Sequence, residues 1–339
     1  MPETTFHEPA LGLLCEHMMH PRPPRLRILS GRAHPEIAVS IARKLGVEIC
    51  PVELDTFANR EIGVKIMESV RGDDVFIVQS HVGNVNDALM EQVLMIDAAK
   101  RASARSITAV CPYFAYARQD RKASGREPIS ARLLVDMLVN AGADRIVTVD
   151  LHTGQIQGFM DGPFDHLIAR PLFISYLREN FTREDLVVVS PDAGRVKSSE
   201  QYSTALGCDM AVIHKHRSTA TRNTVEAKML IGDVQRKTCV LIDDMIDTAG
   251  TICAAAELVM EHGAKEVYGF ATHGLFCGPA KERIEASPFT KVVTTDTIPQ
   301  DPSFKKVTTL STAPIIADAI QAIYTGGSVS GLFDGSNQF

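Results

Sequence analysis

The sequence predicts an α/β fold made of two similar, doubly wound parallel-sheet domains. Three observations predict it. Short, nearly continuous apolar runs alternate with helical patterns, as expected of strands covered on both faces by helices. The length, 339 residues, suits about two domains. The chain also contains itself twice: VFIVQS (75–80) matches CVLIDD (239–244), and SARSI (103–107) matches GAKEV (263–267). Each half therefore runs strand, loop, helix, Ala-basic turn, strand.

Taken in order, LRILS, DVFIVQS, SITAVC, RIVTVD, LVVVS, CVLID and EVYGFAT read as strands. Between them PEIAVSIARKLG, NDALMEQVLMIDAAKRAS, ISARLLVDMLVNAGA, RPLFISYLRENF and TICAAAELVMEHGA carry helical spacing. Several of these begin after Asn, Ser or Thr or end at Gly. The domain boundary falls near 165–170, giving a first domain over 25–167 and a second over 168–339. The last helix, near 315–324, is expected to pack back on the first half. Residues 1–24, ending in HPRPPR, read as a poorly ordered extension.

Composition narrows the function classes. With 45% hydrophobic and 22% charged residues the chain reads as soluble and globular. A formal net charge of -6 supplies no overall basic field to recruit nucleic acid or an anionic membrane. No apolar run approaches the ~18 residues of a membrane span. ALGLLC near the N-terminus lacks a preceding basic region, so no signal peptide is read there. The seven cysteines form no CxxC pair and read as buried, reduced thiols of a cytoplasmic protein.

The segment with most chemistry is VLIDDMIDTAGT, 240–251. Ligands of open α/β sheets bind at the carboxyl ends of strands, where Asp243 and Asp244 fall. Thr248, Ala249, Gly250 and Thr251 then turn into a helix, whose first N–H groups and positive dipole end favour a phosphate. Carboxylates repel phosphate, so the acids must face another part of the same ligand: sugar hydroxyls or a Mg²⁺ ion. A phosphorylated sugar satisfies both halves. The alternative is an ordinary Asp/Thr helix cap.

This stretch resembles the phosphoribosyl-pyrophosphate motif of type I phosphoribosyltransferases and of the ribose-phosphate diphosphokinase (phosphoribosyl-pyrophosphate synthetase) family. FANREIGVKI, ESVRGDDVFIVQS, YFAYARQDRK, VDLHTGQIQGF, VVVSPDAGR and IHKHR resemble the synthetase, in family order, over about residues 26–333. The resemblance implies two domains of phosphoribosyltransferase type. It implies Mg²⁺-dependent transfer of a diphosphoryl group from ATP to ribose 5-phosphate, for nucleotide biosynthesis. Two rivals stay open: a phosphoribosyltransferase, and a non-catalytic regulatory subunit on the same fold.

Residue by residue, Phe57, Asn59 and Glu61 would share one side of a strand, and the resemblance makes this segment an adenine-binding loop reaching a neighbouring subunit's ATP. Arg118 and Gln119, in a charge run that by itself suits a solvated face, become ATP contacts. His152, which alone reads as structural, and Asp192 become ligands of the Mg²⁺ on ATP. Lys215 and Arg217 become the cations that stabilise the transferred diphosphoryl group. Arg217, Asp243, Asp244, Asp247, Thr248, Ala249, Gly250 and Thr251 become the ribose 5-phosphate site. Ser69, Arg71, Gln157, Ser328, Ser330 and Phe333 match regulatory positions for phosphate and ADP effectors. The family's assembly implies a homo-oligomer, a hexamer built from dimers. Two departures stand out. Arg195 replaces a glycine frequent in the family, where it would crowd the pyrophosphate or supply it a cation. Ala249 stands where Gly or Cys is commoner, and is expected to be tolerated if its φ is negative.

Overall fold

The computed structural model describes residues 22–216 and 227–333. In the first domain, β1 (Leu26–Ser30) leads through α1 (Pro35–Leu45) to the hairpin β2 (Val52–Thr56) and β3 (Ile62–Ile66). Then follow β4 (Asp74–Val78), α2 (Val85–Arg101), β5 (Ser106–Cys111), α3 (Ser130–Ala141), β6 (Arg145–Val149) and β7 (Phe164–Leu167). Helix α4 (Arg170–Asn180) crosses to the second domain. That domain comprises β8 (Leu186–Ser190), α5 (Val196–Leu206), β9 (Asp209–His216), β10 (Ala227–Ile231) and β11 (Thr238–Ile246). It ends with α6 (Gly250–Glu261), β12 (Glu266–Gly274), α7 (Ala280–Ala286), β13 (Phe289–Thr295), β14 (Val307–Leu310) and α8 (Ala313–Thr325).

The duplication reappears as topology. The first sheet is ordered β1-β4-β5-β6-β7 and all its pairs are parallel. The second holds the same parallel arrangement, β8-β11-β12-β13-β14. It is extended at one edge by β9 and the antiparallel β10. The central strands β4 and β8 are buried at every position. That explains why their sequences run apolar without alternation. The helices keep ordinary end signals: α1 and α8 each have Pro in the first turn and a left-handed Gly, Gly46 or Gly326, after the last.

Each domain's final helix packs on the other domain. Helix α4, which follows β7, lies on α5, while α8, which follows β14, lies on α1. Ile37 and Ile41 of α1, Ile316 and Ile320 of α8, Phe173 of α4 and Phe270 of β12 belong to one continuous buried cluster. Burying these faces against each other joins the domains. The sequence anticipated the return of the last helix, but not the reciprocal exchange of α4.

Residues 22–24 are tied to the first domain. The Arg22 Nη1 donates to Asp73 at 2.6 Å, and the Tyr324 hydroxyl of α8 donates to the Pro24 carbonyl at 2.8 Å. The rest of the expected extension, 1–21, lies outside the described residues. Among the described residues six cysteines are unpaired thiols, and Cys277 is exposed where burial was expected. No helix among them is long and apolar enough to cross a membrane.

Candidate active site

The carboxyl ends of β6, β8 and β11 converge between the domains. A cavity of about 280 Å³ there is lined by Arg118 and His152 of the first domain and by Asp192, Arg195, Asp243, Asp244 and the whole of 245–252 from the second. Strand β11 runs through both acids before the chain turns. The turn residue Ala249 has φ 59° and ψ 2°, and is buried. The condition on which alanine was expected to be tolerated, a negative φ, is therefore not met. The left-handed conformation, unfavourable for a residue with a Cβ, is what directs the chain from strand into α6. Helix α6 then begins with the Cys253 N–H donating to the Ala249 carbonyl at 3.0 Å. The Arg283 Nη1 of α7 donates to the Thr248 carbonyl at 2.9 Å and braces the loop from outside.

The two acids are held differently. Asp244 has both oxygens engaged. Its Oδ2 accepts from His152 Nδ1 at 2.6 Å, and its Oδ1 accepts from the Met245 N–H at 2.9 Å and from the Arg195 guanidinium. Asp243 Oδ1 accepts from the Asp244 N–H at 2.9 Å and from Arg195 Nε at 3.0 Å. Burial and the neighbouring Asp244 charge push the Asp243 carboxyl up. Burial acts on Asp244 in the same sense, but His152 and Arg195 outweigh it and hold that carboxyl down. The pair thus shares charge unequally, and Asp244 is the member that stays ionised.

An ionised Asp244 can only accept, so the His152 Nδ1 that faces it carries a hydrogen, and Nε2 is the ring nitrogen left for a metal ion. The position of His152 is set from the second domain. The preceding Asp150, with φ 39°, accepts through Oδ2 from the Thr272 hydroxyl of β12 at 2.6 Å and from the Ala169 N–H at 3.0 Å. His273 Nε2 lies 3.1 Å and 3.0 Å from the carbonyls of Val149 and Asp150. On the other side, Asp120 Oδ2 accepts from the Thr153 hydroxyl at 2.9 Å.

Asp192 Oδ1 accepts from the N–H groups of Gly194 and Arg195 at 2.9 and 3.2 Å, capping the turn that enters α5. The donor set fits a Mg²⁺ ion carried by a polyphosphate. One carboxylate and one imidazole face the same cavity, and magnesium ordinarily takes few protein ligands, filling its octahedron with water and phosphate oxygens. Among the described residues no group of three or more His, Cys, Asp or Glu side chains is arranged to enclose a metal by itself.

Two further expectations meet the structure here. Arg118 Nη1 donates to Asp247 Oδ2 at 2.8 Å, linking the charge run of one domain to the phosphate-type loop of the other. The Gln119 Oε1 accepts from the Ser130 hydroxyl at 2.6 Å at the start of α3.

Phe57, Asn59 and Glu61 do not form a strand face. They occupy the tip of the β2–β3 hairpin, where the Phe57 N–H donates to the Glu61 carbonyl at 2.8 Å and Arg60 has φ 74°. Period-two spacing fits such a tip as well as a strand, which is why the strand reading failed. All three are exposed and away from the cavity of their own chain. Lys215 lies in β9, opposite Lys228 of β10, and Arg217 lies outside the described residues.

Gln157 and Ser330 line a separate cavity of about 300 Å³ with Arg145 and His166. Ser328 Oγ lies 3.1 Å from Ser330 Oγ, and Phe333 is buried in the joint between the domains. Ser69 and Arg71, between β3 and β4, are exposed and do not line that cavity.

A family model described as the N-terminal domain of ribose phosphate pyrophosphokinase matches residues 26–142. Another, described as the phosphoribosyl synthetase-associated domain, matches residues 226–334. The chain is 51% identical over 312 residues to the ribose-phosphate pyrophosphokinase of Streptomyces avermitilis, covering 91% of this chain and 96% of that one.

The chain belongs to the ribose-phosphate pyrophosphokinase family.

Another ribose-phosphate pyrophosphokinase, from Corynebacterium efficiens, is 53% identical with the same coverage. The crystal structure of phosphoribosylpyrophosphate synthetase from Mycobacterium smegmatis matches with a TM-score of 0.84 and 49% identity, covering 89% of this chain and 100% of that one. Membership in the ribose-phosphate pyrophosphokinase family goes with two domains of phosphoribosyltransferase type.

What the sequence missed around the ribose-phosphate pyrophosphokinase site are its braces: Asp150 with Thr272 and His273, Asp120 with Thr153, and Arg283 with the Thr248 carbonyl. None has a local signal, since each pairs residues from different elements.

Proposed function

We propose that the protein is a ribose-phosphate pyrophosphokinase that transfers the β,γ-diphosphoryl group of ATP to the 1-hydroxyl of ribose 5-phosphate, forming 5-phosphoribosyl 1-pyrophosphate and AMP for nucleotide biosynthesis in the cytoplasm. The observation that carries this reading is the single cavity where Arg118 and His152 of one domain meet the Asp243–Thr251 segment of the other. A two-substrate reaction needs such a joint site.

In this reading the N–H groups of Gly250 and Thr251 and the hydroxyls of Thr248 and Thr251 hold the 5-phosphate at the start of α6. Asp243 and Asp244, with Asp247 from the same segment, orient the ribose hydroxyls. Arg118 and Gln119 contact ATP, joined by Phe57, Asn59 and Glu61 from a neighbouring subunit of a homo-oligomer, a hexamer. His152 Nε2 and Asp192 hold the Mg²⁺ that accompanies ATP. When bound, that ion neutralises phosphate charge. The anomeric oxygen forms a bond to the β-phosphorus while the bond from that phosphorus to the AMP oxygen breaks, and the hydroxyl proton passes to solvent water. Such a transfer depends on positioning and charge stabilisation more than on covalent help. Lys215 and Arg217 supply the stabilising charge. Ser69, Arg71, Gln157, Ser328, Ser330 and Phe333 serve binding of phosphate and ADP as effectors.

The test is to mix the protein with ATP, ribose 5-phosphate, Mg²⁺ and inorganic phosphate and follow AMP. AMP formed only with ribose 5-phosphate supports the reading; its absence sinks it. Lys215→Ala should lower turnover by at least tenfold, since one charge contact to a transition state is worth roughly 3 kcal/mol.

A further inference from the structure

The backbone at Arg195 is ordinary for a residue entering a helix, with φ -99° and ψ 1°. What sets Arg195 apart is what its side chain reaches. Asp192 fixes the turn by accepting from the Arg195 N–H, so the guanidinium departs from a held point at the head of α5. It extends between the domains, about four-fifths buried, at 21% side-chain exposure. Its Nε donates to Asp243 Oδ1, its Nη2 donates to Asp244 Oδ1, and the same Nη2 lies 3.2 Å from His152 Nδ1. It also forms part of the wall between the sugar-phosphate cavity and a second cavity, of about 310 Å³, lined by Arg170, Lys197 and Tyr202.

Two adjacent carboxylates at the bottom of a sugar-phosphate site are the usual prelude to a divalent cation. Here one oxygen of each is occupied by a single guanidinium. A Mg²⁺ ion bridging the pair needs those oxygens at about 2.1 Å in an octahedral shell. The planar fork of Arg195 keeps them turned to its own donors, and arginine keeps its charge throughout the accessible pH range. An entering Mg²⁺ would also stand beside an uncompensated buried cation.

We propose that Arg195 is the resident cation of the Asp243–Asp244 pair, occupying the place of a second, sugar-side divalent ion and closing that place to metal. Arg195 is then a positioning residue that holds the two acids in place beside ribose without a dissociable ion. The metal carried by ATP at His152 and Asp192 is unaffected. This proposal rests on the assignment of Asp243 and Asp244 to the sugar side of the site, and its test does not depend on turnover.

Mn²⁺ is titrated into the full-length protein without substrates, and free Mn²⁺ is read by electron paramagnetic resonance. Arg195→Ala should gain one Mn²⁺ per chain at least tenfold tighter than any wild-type site. Arg195→Ala combined with Asp243→Asn should lose it again. Arg195→Gln, which keeps the stem but not the charge, should gain the same site and serves if the alanine variant does not fold. The proposal is overturned if neither variant gains a site, or if the wild-type protein already binds Mn²⁺ at a site that Asp243→Asn abolishes. Failure of the AMP assay with Mn²⁺ binding as expected would instead reject the enzymatic reading alone.

Discussion

The Thr272 hydroxyl donates to Asp150 Oδ2 at 2.6 Å, so the second domain holds the chain two residues before the first domain's His152. Asp150 sits at a positive φ, an uncommon place for a residue with a side chain, and such conformations persist only where surroundings enforce them. Thr272→Val keeps the shape and removes the donor. It is expected to destabilise the protein by about 1–3 kcal/mol, read by denaturant unfolding, because a half-buried carboxylate loses a hydrogen-bond donor. It should also raise the KM for ATP through a loosened His152. An unchanged KM together with unchanged stability would show that the bond positions nothing.

Ala249 tests the cost of the loop conformation. At φ 59° a Cβ is unfavourable by roughly 1–2 kcal/mol, while glycine costs about 0.5–1 kcal/mol in chain entropy. The first effect is the larger, so Ala249→Gly should be neutral to stabilising by up to about 1 kcal/mol. A β-branched side chain tolerates this region worst. Ala249→Val should therefore weaken ribose 5-phosphate binding strongly, measured by calorimetry. A destabilised glycine variant would contradict this account of the turn.

Arg283 braces the loop and does not line the cavity. Arg283→Ala removes the donor to the Thr248 carbonyl, worth about 1 kcal/mol at an exposed position. The expected result is a rise of roughly fivefold in the KM for ribose 5-phosphate with kcat within twofold. A fall in kcat at constant KM would place Arg283 in the chemistry instead.

His81 predicts acid sensitivity. It is buried, and burial lowers its pKa to about 4. Both ring nitrogens suit the neutral form: Nε2–H donates to Gln92 Oε1 at 2.8 Å, and Nδ1 accepts from the Ala115 N–H at 3.3 Å. The unfolded chain takes up this proton first, near the ordinary histidine value of 6.5. Stability is therefore complete above about pH 6.5 and falls as the pH drops toward 4, by roughly 3 kcal/mol from this group. His81→Gln should flatten that part of the stability–pH curve; an unaltered slope would exclude His81 as its source.

Much of the fold and part of the site were legible in the sequence, for reasons visible in particular residues. Continuous apolar runs such as DVFIV and LVVVS show buried parallel strands because both of their faces are covered. The Asp243–Thr251 segment was legible because its acids, turn and helix start are contiguous. The edge strands β7, β10 and β14 were missed, being short and partly polar or exposed. Phe57 to Glu61 was misread because alternation does not distinguish a strand from the tip of a hairpin.

By itself the sequence determined the alternation of strand and helix, the duplication, the phosphate-type loop and the family. These depend on local periodicity and on motifs whose residues are neighbours in the chain. Only the tertiary structure decided that α4 packs across on the second domain, that Asp244 and not Asp243 serves His152, that Ala249 is left-handed, and that Arg195 stands between the two acids. Each of these depends on which buried charge or apolar face meets which partner across the domain joint. That is settled by packing among residues far apart in sequence, and no local pattern records it.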